Sequence, residues 1–405
     1  MAIIIQKFGG SSVADIEKIN NVARIVQSEV KKKNQVVVVV SAMQGETDRL
    51  LGLANQILHP ITSEAMSEYD VIASSGEQIS AGLLALALQK IKIPAISMLG
   101  WQIKLNTTND HTKGRIIKCS NIKLIQKHLK DKKVVVVAGF QGVTKNHRIT
   151  TLGRGGSDTS AVAIGIAMNA KRCDIYKDVD GIFTTDPRIC KEAKKIDKIS
   201  IEEMLELSST GSKVLQVRAV ELAMKYNIDI CVRPTFNVKN TGTILVSNDQ
   251  KTKKIVTGIS CSANENMINI YKIENSIKFY TELFNEFKTN KIDIDMIIQN
   301  EDNEMSEMTF LANKIDLINI ELILKKIKKI AKFDKMTVNE NIAKISIVGA
   351  KMKNESGILS KTLLALMKNN IDQLAISTSD IKISIVVNEK EKENVVKILH
   401  KAFNL

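Results

Sequence analysis

The run Gln35-Val-Val-Val-Val-Val40 leaves little choice of surroundings. A strand with one face in water alternates apolar and polar residues, whereas a run apolar at every position must be covered on both faces. Residues 2–6, Ala-Ile-Ile-Ile-Gln, are of the same kind, and the two runs read as buried strands over 2–6 and 35–41. Between them a helical pattern runs from Asp15 to Lys32. Further strands are predicted at 94–98, 133–139, 172–177 and 228–233, alternating with helices near 46–58, 64–90, 121–130, 158–168 and 213–226. Strands that alternate with helices build a largely parallel sheet covered on both sides, an α/β sandwich. Ligands in such folds bind beyond the C-terminal ends of the strands, so the loops there are where chemistry is expected.

The length of 405 residues fits two or three domains, and 44% hydrophobic residues are enough for a buried core. The N-terminus lacks a basic segment followed by an apolar one, and no stretch reads as the roughly 18 apolar residues of a membrane helix, so a cytoplasmic location and no membrane partner are expected. Five cysteines stand far apart without a Cys-x-x-Cys pair, which argues against a disulfide framework or a zinc site. The net charge of +14 raises nucleic acid as a partner, but the lysines are scattered and aromatic residues make up only 4%, too few for base-stacking platforms. A solvated lysine-rich surface is the reading adopted, with no nucleic-acid partner.

The densest strand-end loop is Thr150-Thr-Leu-Gly-Arg-Gly-Gly-Ser-Asp158, which opens a helical run. Its glycines let backbone approach a ligand, a helix N-terminus favours an anion, and Arg154 adds a two-pronged cation. Ser157 or Asp158 is expected to cap the helix. Lys7-Phe-Gly-Gly-Ser-Ser12 follows the first strand and suits phosphates, although its spacing is not that of a P-loop. Ser41 and Thr47 follow the second strand and, taken alone, read as simple helix capping. Glu77, within Ser74-Ser-Gly-Glu77, reads in isolation as a surface carboxylate. Tyr176 to Arg188 is a turn-rich loop whose Asp178, Asp180 and Arg188 are able to order a nucleotide and its metal, and Gly211-Ser-Lys213 opens another helix with a cation.

Taken together and in order, Lys7-Phe-Gly-Gly-Ser-Ser-Val13, Ser41-Ala-Met43, Ser75-Gly-Glu77, Ala138-Gly-Phe-Gln-Gly142, Thr150 to Asp158, Asp178-Val-Asp-Gly181, Thr184-Thr-Asp-Pro-Arg188 and Gly211-Ser-Lys213 resemble the aspartate kinases of the amino-acid kinase superfamily over the full length. The resemblance implies phosphoryl transfer from ATP, carried with Mg²⁺, to the β-carboxylate of L-aspartate. It puts Lys7 and Lys213 on the phosphates, with Asp158 holding the lysines. Gly9, Gly10, Ser11, Lys177, Asp178, Phe183, Arg188 and Val214 fall on the nucleotide. Glu77 falls on the substrate ammonium and Arg154 on its α-carboxylate, with Ser41, Thr47, Gly155 and Gly156 nearby. No protein metal cage is expected. A catalytically silent amino-acid sensor on the same fold is the alternative, and it predicts loss of Lys7, Arg154, Asp158 or Lys213, all of which are present.

The C-terminal third carries an internal repeat: Met267–Tyr271 matches Lys344–Val348, and Lys291–Met296 matches Asn370–Ala375 as a second strand. The resemblance makes these two ACT modules, small α+β units that bind amino acids and pair between subunits, so a homodimer or larger assembly is implied. The expected division is a catalytic domain over 1–247, a first ACT module over 263–334, and a second made of 248–262 with 335–405. Lysine or threonine is the implied effector, with Ile358, Ser377, Thr378 and Ser379 as its residues in the second module. In the first, Asn275-Ser-Ile-Lys278 lacks the usual tight-turn glycine, which predicts a weakened or absent inhibitor site there, with dimer packing as the equally weighted role of both modules.

Overall fold

A computed structural model describes the chain except residues 212–213, 238–239, 247–254, 275, 303–304, 351 and 353–356. Two compact units divide it: Met1–Phe183 with Lys195–Ser209 and Lys213–Thr252, and Thr184–Lys194 with Thr210–Ser212 and Lys253–Leu405.

The first unit is built on an eight-stranded sheet. Its strands are β1 (Ile3–Phe8), β2 (Gln35–Val40), β3 (Ala95–Met98), β4 (Val134–Ala138), β5 (Arg172–Lys177), β6 (Lys198–Ser200), β7 (Ile230–Pro234) and β8 (Thr243–Val246), in the order β6-β8-β7-β5-β1-β2-β4-β3. All pairings are parallel except β7 with β8. The valine run is buried throughout β2, as a doubly covered strand requires. The unit also holds helices α1 (Ile16–Lys31), α2 (Glu46–Ile57), α3 (Met66–Lys90), α4 (Ile122–Lys130), α5 (Gly156–Ala167), α6 (Ile201–Ser209) and α7 (Val217–Tyr226), and a smaller four-stranded sheet of Leu105–Thr107, Ile116–Cys119, Gln141–Val143 and Ile149–Thr151. On one face α1 and α3 pack Ile19, Val22, Leu84 and Leu88 against Phe8, Val36, Val38 and Val136. On the other, α5 packs close enough that a Cβ on Gly165 would lie 3.3 Å from Ile5 Cγ1.

Helix α3 corrects the expectation that no segment is long and apolar enough to cross a membrane. It passes on length and hydropathy, yet over half of its most apolar window is buried inside the protein, along with Asp70, Ser74, Glu77 and Ser80. A core helix covered on several sides meets the same criteria as a membrane span.

The second unit contains two four-stranded sheets. Strand β9 (Gly258–Ser262) comes first in sequence. It is followed by β10 (Glu265–Ile273), α8 (Ser276–Asn290), β11 (Ile294–Asp302), β12 (Met305–Asn313), α9 (Leu317–Ile327) and β13 (Met336–Asn339), which form one module with sheet order β11-β12-β10-β13. The other module consists of β9 with β14 (Ile342–Val348), α10 (Gly357–Met367), β15 (Ala375–Thr378), β16 (Lys382–Asn388) and α11 (Lys392–Ala402), in the order β9-β14-β16-β15. Each has its own core, around Phe279, Phe287 and Phe310 in the first and Ile345, Ile385 and Val396 in the second.

Three boundaries differ from the expected ones. Residues 336–339 pair with β10 in the first sheet, because Met267–Ile270 there present an unpaired edge to them. The second strand of the later repeat begins at Ala375, so 370–374 precede it. Finally, 184–194 and 210–212 belong with the second unit, where Thr184 O accepts from Ile259 N at 2.7 Å, Thr184 Oγ1 meets buried His400 Nε2 at 2.9 Å, and Thr210 bonds Ser260.

Candidate active site

Side chains on a strand alternate between faces, and Lys7 sits on the face of β1 that α5 covers, level with Val39 of β2 and Ile175 of β5. Lys177, two residues after Ile175, shares that face. The chain enters α5 through Gly153 and Gly155, both in the left-handed region at φ 78° and 75°. Gly155 is the N-cap, and a Cβ there would also come within 2.8 Å of Gln216 Cγ. The expected cap at Ser157 or Asp158 is thereby corrected: both lie inside the first turn, since backbone with positive φ and no side chain makes the sharp entry.

This places Asp158 between two cations. Its Oδ1 lies 2.6 Å from Lys7 Nζ and its Oδ2 2.9 Å from Lys177 Nζ, with Lys7 only 3% and Asp158 only 1% exposed. Burial by itself pushes the Asp158 carboxyl up, but Lys177 and Lys7 outweigh it and hold the pKa at about 2. Burial pulls Lys7 down, Asp158 opposes this and Lys177 adds to it, leaving the ammonium at about 8. Two lysines on one carboxylate at a helix N-terminus leave a surplus positive charge, a receptor for an anion with little water to screen it.

Glu77 stands on α3. Far from being a surface carboxylate, it is 3% exposed, because Gly76 lets α3 press on Ala42, where a Cβ would come within 2.7 Å of the Ala42 side chain. Glu77 Oε1 accepts from Ala42 N at 3.0 Å, whereas Oε2 is buried with no hydrogen-bond partner among the described residues. Burial raises its pKa to about 7, against the opposing Ala42 N–H and the charge of Lys7. An orphaned buried carboxylate oxygen calls for a donor, and an ammonium group would meet that need.

The strand-end loops bring other expected residues alongside. A Cβ on Gly10 would strike Ala42 O at 2.9 Å, so the turn needs bare backbone there, and Gly9 lies beside Lys7, where a Cβ would stand 3.6 Å from its Nζ. Ser11 and Ser41 are half-buried, Thr47 is in the first turn of α2, and Gly156 begins α5. Arg154 is exposed and makes no ion pair among the described residues. Asp178 is exposed, and Phe183 is half-buried in a short pairing of Ile182–Phe183 with Lys195–Ile196. Val214 is half-buried, while Lys213 falls outside the described residues.

Arg188 falls in the second unit, where its guanidinium pairs with Asp186 at 2.6 Å. In that unit Ile358 is buried in α10, Ser377 and Thr378 lie on β15, and Ser379 N bonds Lys382 O at 2.8 Å; Asn275 is outside the described residues.

Two further buried polar contacts of the first unit escaped the sequence reading. Asp174 holds both Arg172 at 3.0 Å and Arg233 at 2.9 Å, and Ser12 Oγ bonds Thr235 Oγ1 at 2.6 Å, tying the first glycine loop to the residue after β7. The Arg-x-Asp alternation in β5 is the only sequence trace of the former. The latter has none, because its partners are far apart in the chain.

The arrangement suits a reaction between anions. One buried lysine, one half-buried lysine and bare amides gather at the strand ends around a helix N-terminus, and a carboxylate with a free oxygen is ready for an ammonium. Among the described residues no group of three or more His, Cys, Asp or Glu is placed to hold a metal ion. The family model described as "Amino acid kinase family" matches residues 2–234, and one described as "ACT domain" matches 345–403. The chain therefore belongs to the amino acid kinase family, joined to a C-terminal ACT unit. Within that class it is an aspartokinase. It is 43% identical over 410 residues to the aspartokinase of Pseudomonas aeruginosa (100% of this chain, 98% of the relative) and 42% identical over 407 residues to that of Rickettsia felis (100% of both). The fold matches Escherichia coli aspartokinase III in complex with aspartate and ADP, with a TM-score of 0.85 at 24% identity over 100% of both chains.

Proposed function

We infer that the chain transfers the γ-phosphoryl group of ATP to the β-carboxylate of L-aspartate, giving 4-phospho-L-aspartate and ADP, the first step toward lysine, threonine and methionine. A carboxylate is already an anionic nucleophile, so the chemistry needs no strong base. It needs two anions held in line and the transferring group neutralised. The observation that carries the reading is the Lys7–Asp158–Lys177 group: Asp158 fixes two ammonium groups without cancelling both charges.

In this reading Lys7 and Lys213 meet the phosphates, with Gly9, Gly10 and Ser11 donating backbone N–H groups and Lys177, Asp178, Phe183 and Val214 nearer the nucleotide. Lys177 also serves Asp158. Glu77 takes the substrate ammonium and Arg154 the α-carboxylate, with Ser41, Thr47, Gly155 and Gly156 around them. Arg188 also falls on the nucleotide. Mg²⁺ arrives on the ATP phosphates, where it shields their charge.

The proposed division is a kinase domain to about residue 247, a first ACT module over 263–339, and a second formed by β9 with the chain from 342 onward. The modules pair between subunits into a homodimer or larger assembly and respond to lysine or threonine, with Ile358, Ser377, Thr378 and Ser379 as effector residues. The first module binds effector weakly. Calorimetry showing tight lysine or threonine binding that is lost on changing Asn275 would overturn that last point. A cytoplasmic location fits this chemistry.

The test is ATP-dependent aspartyl phosphate trapped with hydroxylamine, with and without lysine and threonine. Hydroxamate that forms with wild type and disappears with Lys213→Ala supports the assignment. Folded wild-type protein that forms none contradicts it.

A further inference from the structure

Asp70 is a fully buried carboxylate on α3, and the reaction as described makes no use of it. Three groups meet it, two from the loop of His111 and Thr112 and one from the end of the short strand Ile149–Thr151. His111 Nδ1 lies 2.8 Å from Oδ2, Thr112 N lies 3.1 and 3.0 Å from the two oxygens, and Thr151 Oγ1 lies 2.6 Å from Oδ1. A buried carboxylate is costly unless its lone pairs are filled, and here they are filled by groups that lead to one place. Thr151 stands three residues before Arg154. Thr112 holds φ 65°, a strained setting for a β-branched residue, and its carbonyl lies 3.5 Å from where a Cβ on Gly153 would be. Gly114 N closes the contact on Thr151 O at 2.9 Å.

Asp70 and Glu77 are seven residues apart on one helix, hence on one face and about 10.5 Å along the axis. One rigid element thus carries the carboxylate assigned to the substrate ammonium and, two turns earlier, the anchor for the loop that carries Arg154, assigned to the α-carboxylate. We propose that Asp70 is a positioning residue for the amino-acid substrate: through Thr151 and Thr112 it sets the Arg154 loop relative to Glu77, fixing the distance between the two groups that grip the α-amino and α-carboxylate ends. The proposal rests on the substrate roles given to Glu77 and Arg154.

The consequence is selective. Loss of the anchor loosens the hold on aspartate and leaves the nucleotide side, built on β1 and its glycine turn, in place. The experiment measures KM for aspartate and for ATP, with kcat, for wild type, Asp70→Asn, Thr151→Val, Thr151→Ser and Arg154→Ala. Asp70→Asn replaces an all-acceptor group by one that turns a donor toward donors, and Thr151→Val removes a single hydroxyl at nearly constant volume, so a folded variant is available if the first fails to fold. The expected result is a KM for aspartate raised about tenfold or more in Asp70→Asn and several-fold in Thr151→Val, with KM for ATP within about twofold and recovery in Thr151→Ser. Equal rises in both KM values, or an unchanged KM for aspartate in folded Thr151→Val while Arg154→Ala raises it, would overturn the positioning role. An unchanged KM for aspartate in Arg154→Ala would instead remove the substrate assignment beneath it, and the positioning role with it.

Discussion

Lys7 Nζ and Asp158 Oδ1, separated by most of the catalytic sequence, meet at 2.6 Å in the interior, and Lys177 closes on the other oxygen of the same carboxylate. The pair joins the end of the first strand to the first turn of α5. Removing one member of a buried ion pair leaves an uncompensated charge, which costs about 3–5 kcal/mol. Asp158→Ala is expected to lower unfolding stability by that order and to cut kcat by about a hundredfold or more, since both ammonium groups lose their aim. Urea unfolding together with the hydroxamate assay checks both. Full activity in Asp158→Ala would show that the triad is only structural.

Glu77 carries a sign that can be tested. Its carboxyl is raised from the ordinary 4.5 to about 7 by burial, so between those values the folded chain holds the proton that the unfolded chain has lost. Its contribution to stability is therefore most favourable in acid and declines as pH rises through that window. Substrate binding runs the other way, because only the ionised carboxylate pairs with an ammonium. KM for aspartate is expected to rise as pH falls below about 7. Glu77→Gln should raise KM throughout and flatten this dependence; a wild-type KM that is flat across neutrality would contradict the assignment.

Gly155 cannot easily carry a side chain, with φ at 75° and Gln216 Cγ 2.8 Å from the Cβ position. Gly155→Ala is expected to cost about 1–3 kcal/mol and to impair binding of both substrates, because the added Cβ pushes the first turn of α5, and Asp158 with it, away from Gln216. Thermal melting and the two KM values measure this. A neutral melt would mean that the turn relaxes without loss.

In the second unit, Lys344 of β14 is 1% exposed and reaches Glu265 of β10 at 2.7 Å and Asp295 of β11 at 2.6 Å, so one ammonium joins the two sheets. Lys344→Met leaves two carboxylates facing each other without a counter-charge and is expected to destabilise this unit by about 3 kcal/mol or more. Restoring neutrality with Glu265→Gln and Asp295→Asn should recover part of the loss. Calorimetric melting of the three proteins decides it, and an unshifted transition in Lys344→Met would mean that the ammonium contributes nothing net.

Metal dependence should follow the nucleotide rather than the protein. Chelation is expected to abolish hydroxamate formation and added Mg²⁺ to restore it, while calorimetry without ATP detects only weak Mg²⁺ binding. Tight binding by the nucleotide-free protein would disprove this.

The order of the main sheet's strands and helices was legible in the chain because it depends on local periodicity: five consecutive valines admit only a strand covered on both faces, and the glycines before α5 mark a turn that other residues strain to make; the short strands Leu105–Thr107, Ile116–Cys119 and Gln141–Val143 were not. The loops able to bind anions were legible for the same reason, since strand ends, glycines and lysines adjoin one another in sequence. Which charges meet was not. Glu77 looks like any helical glutamate until Gly76 lets its helix press on Ala42, and Asp70 gains its partners only when residues 111, 112 and 151 converge on it. Met336–Asn339 likewise joins the first sheet because β10 offers an edge there. Burial and pairing depend on partners tens to hundreds of residues away, and the strength of every charge at this site depends on burial, so the tertiary structure alone decided them.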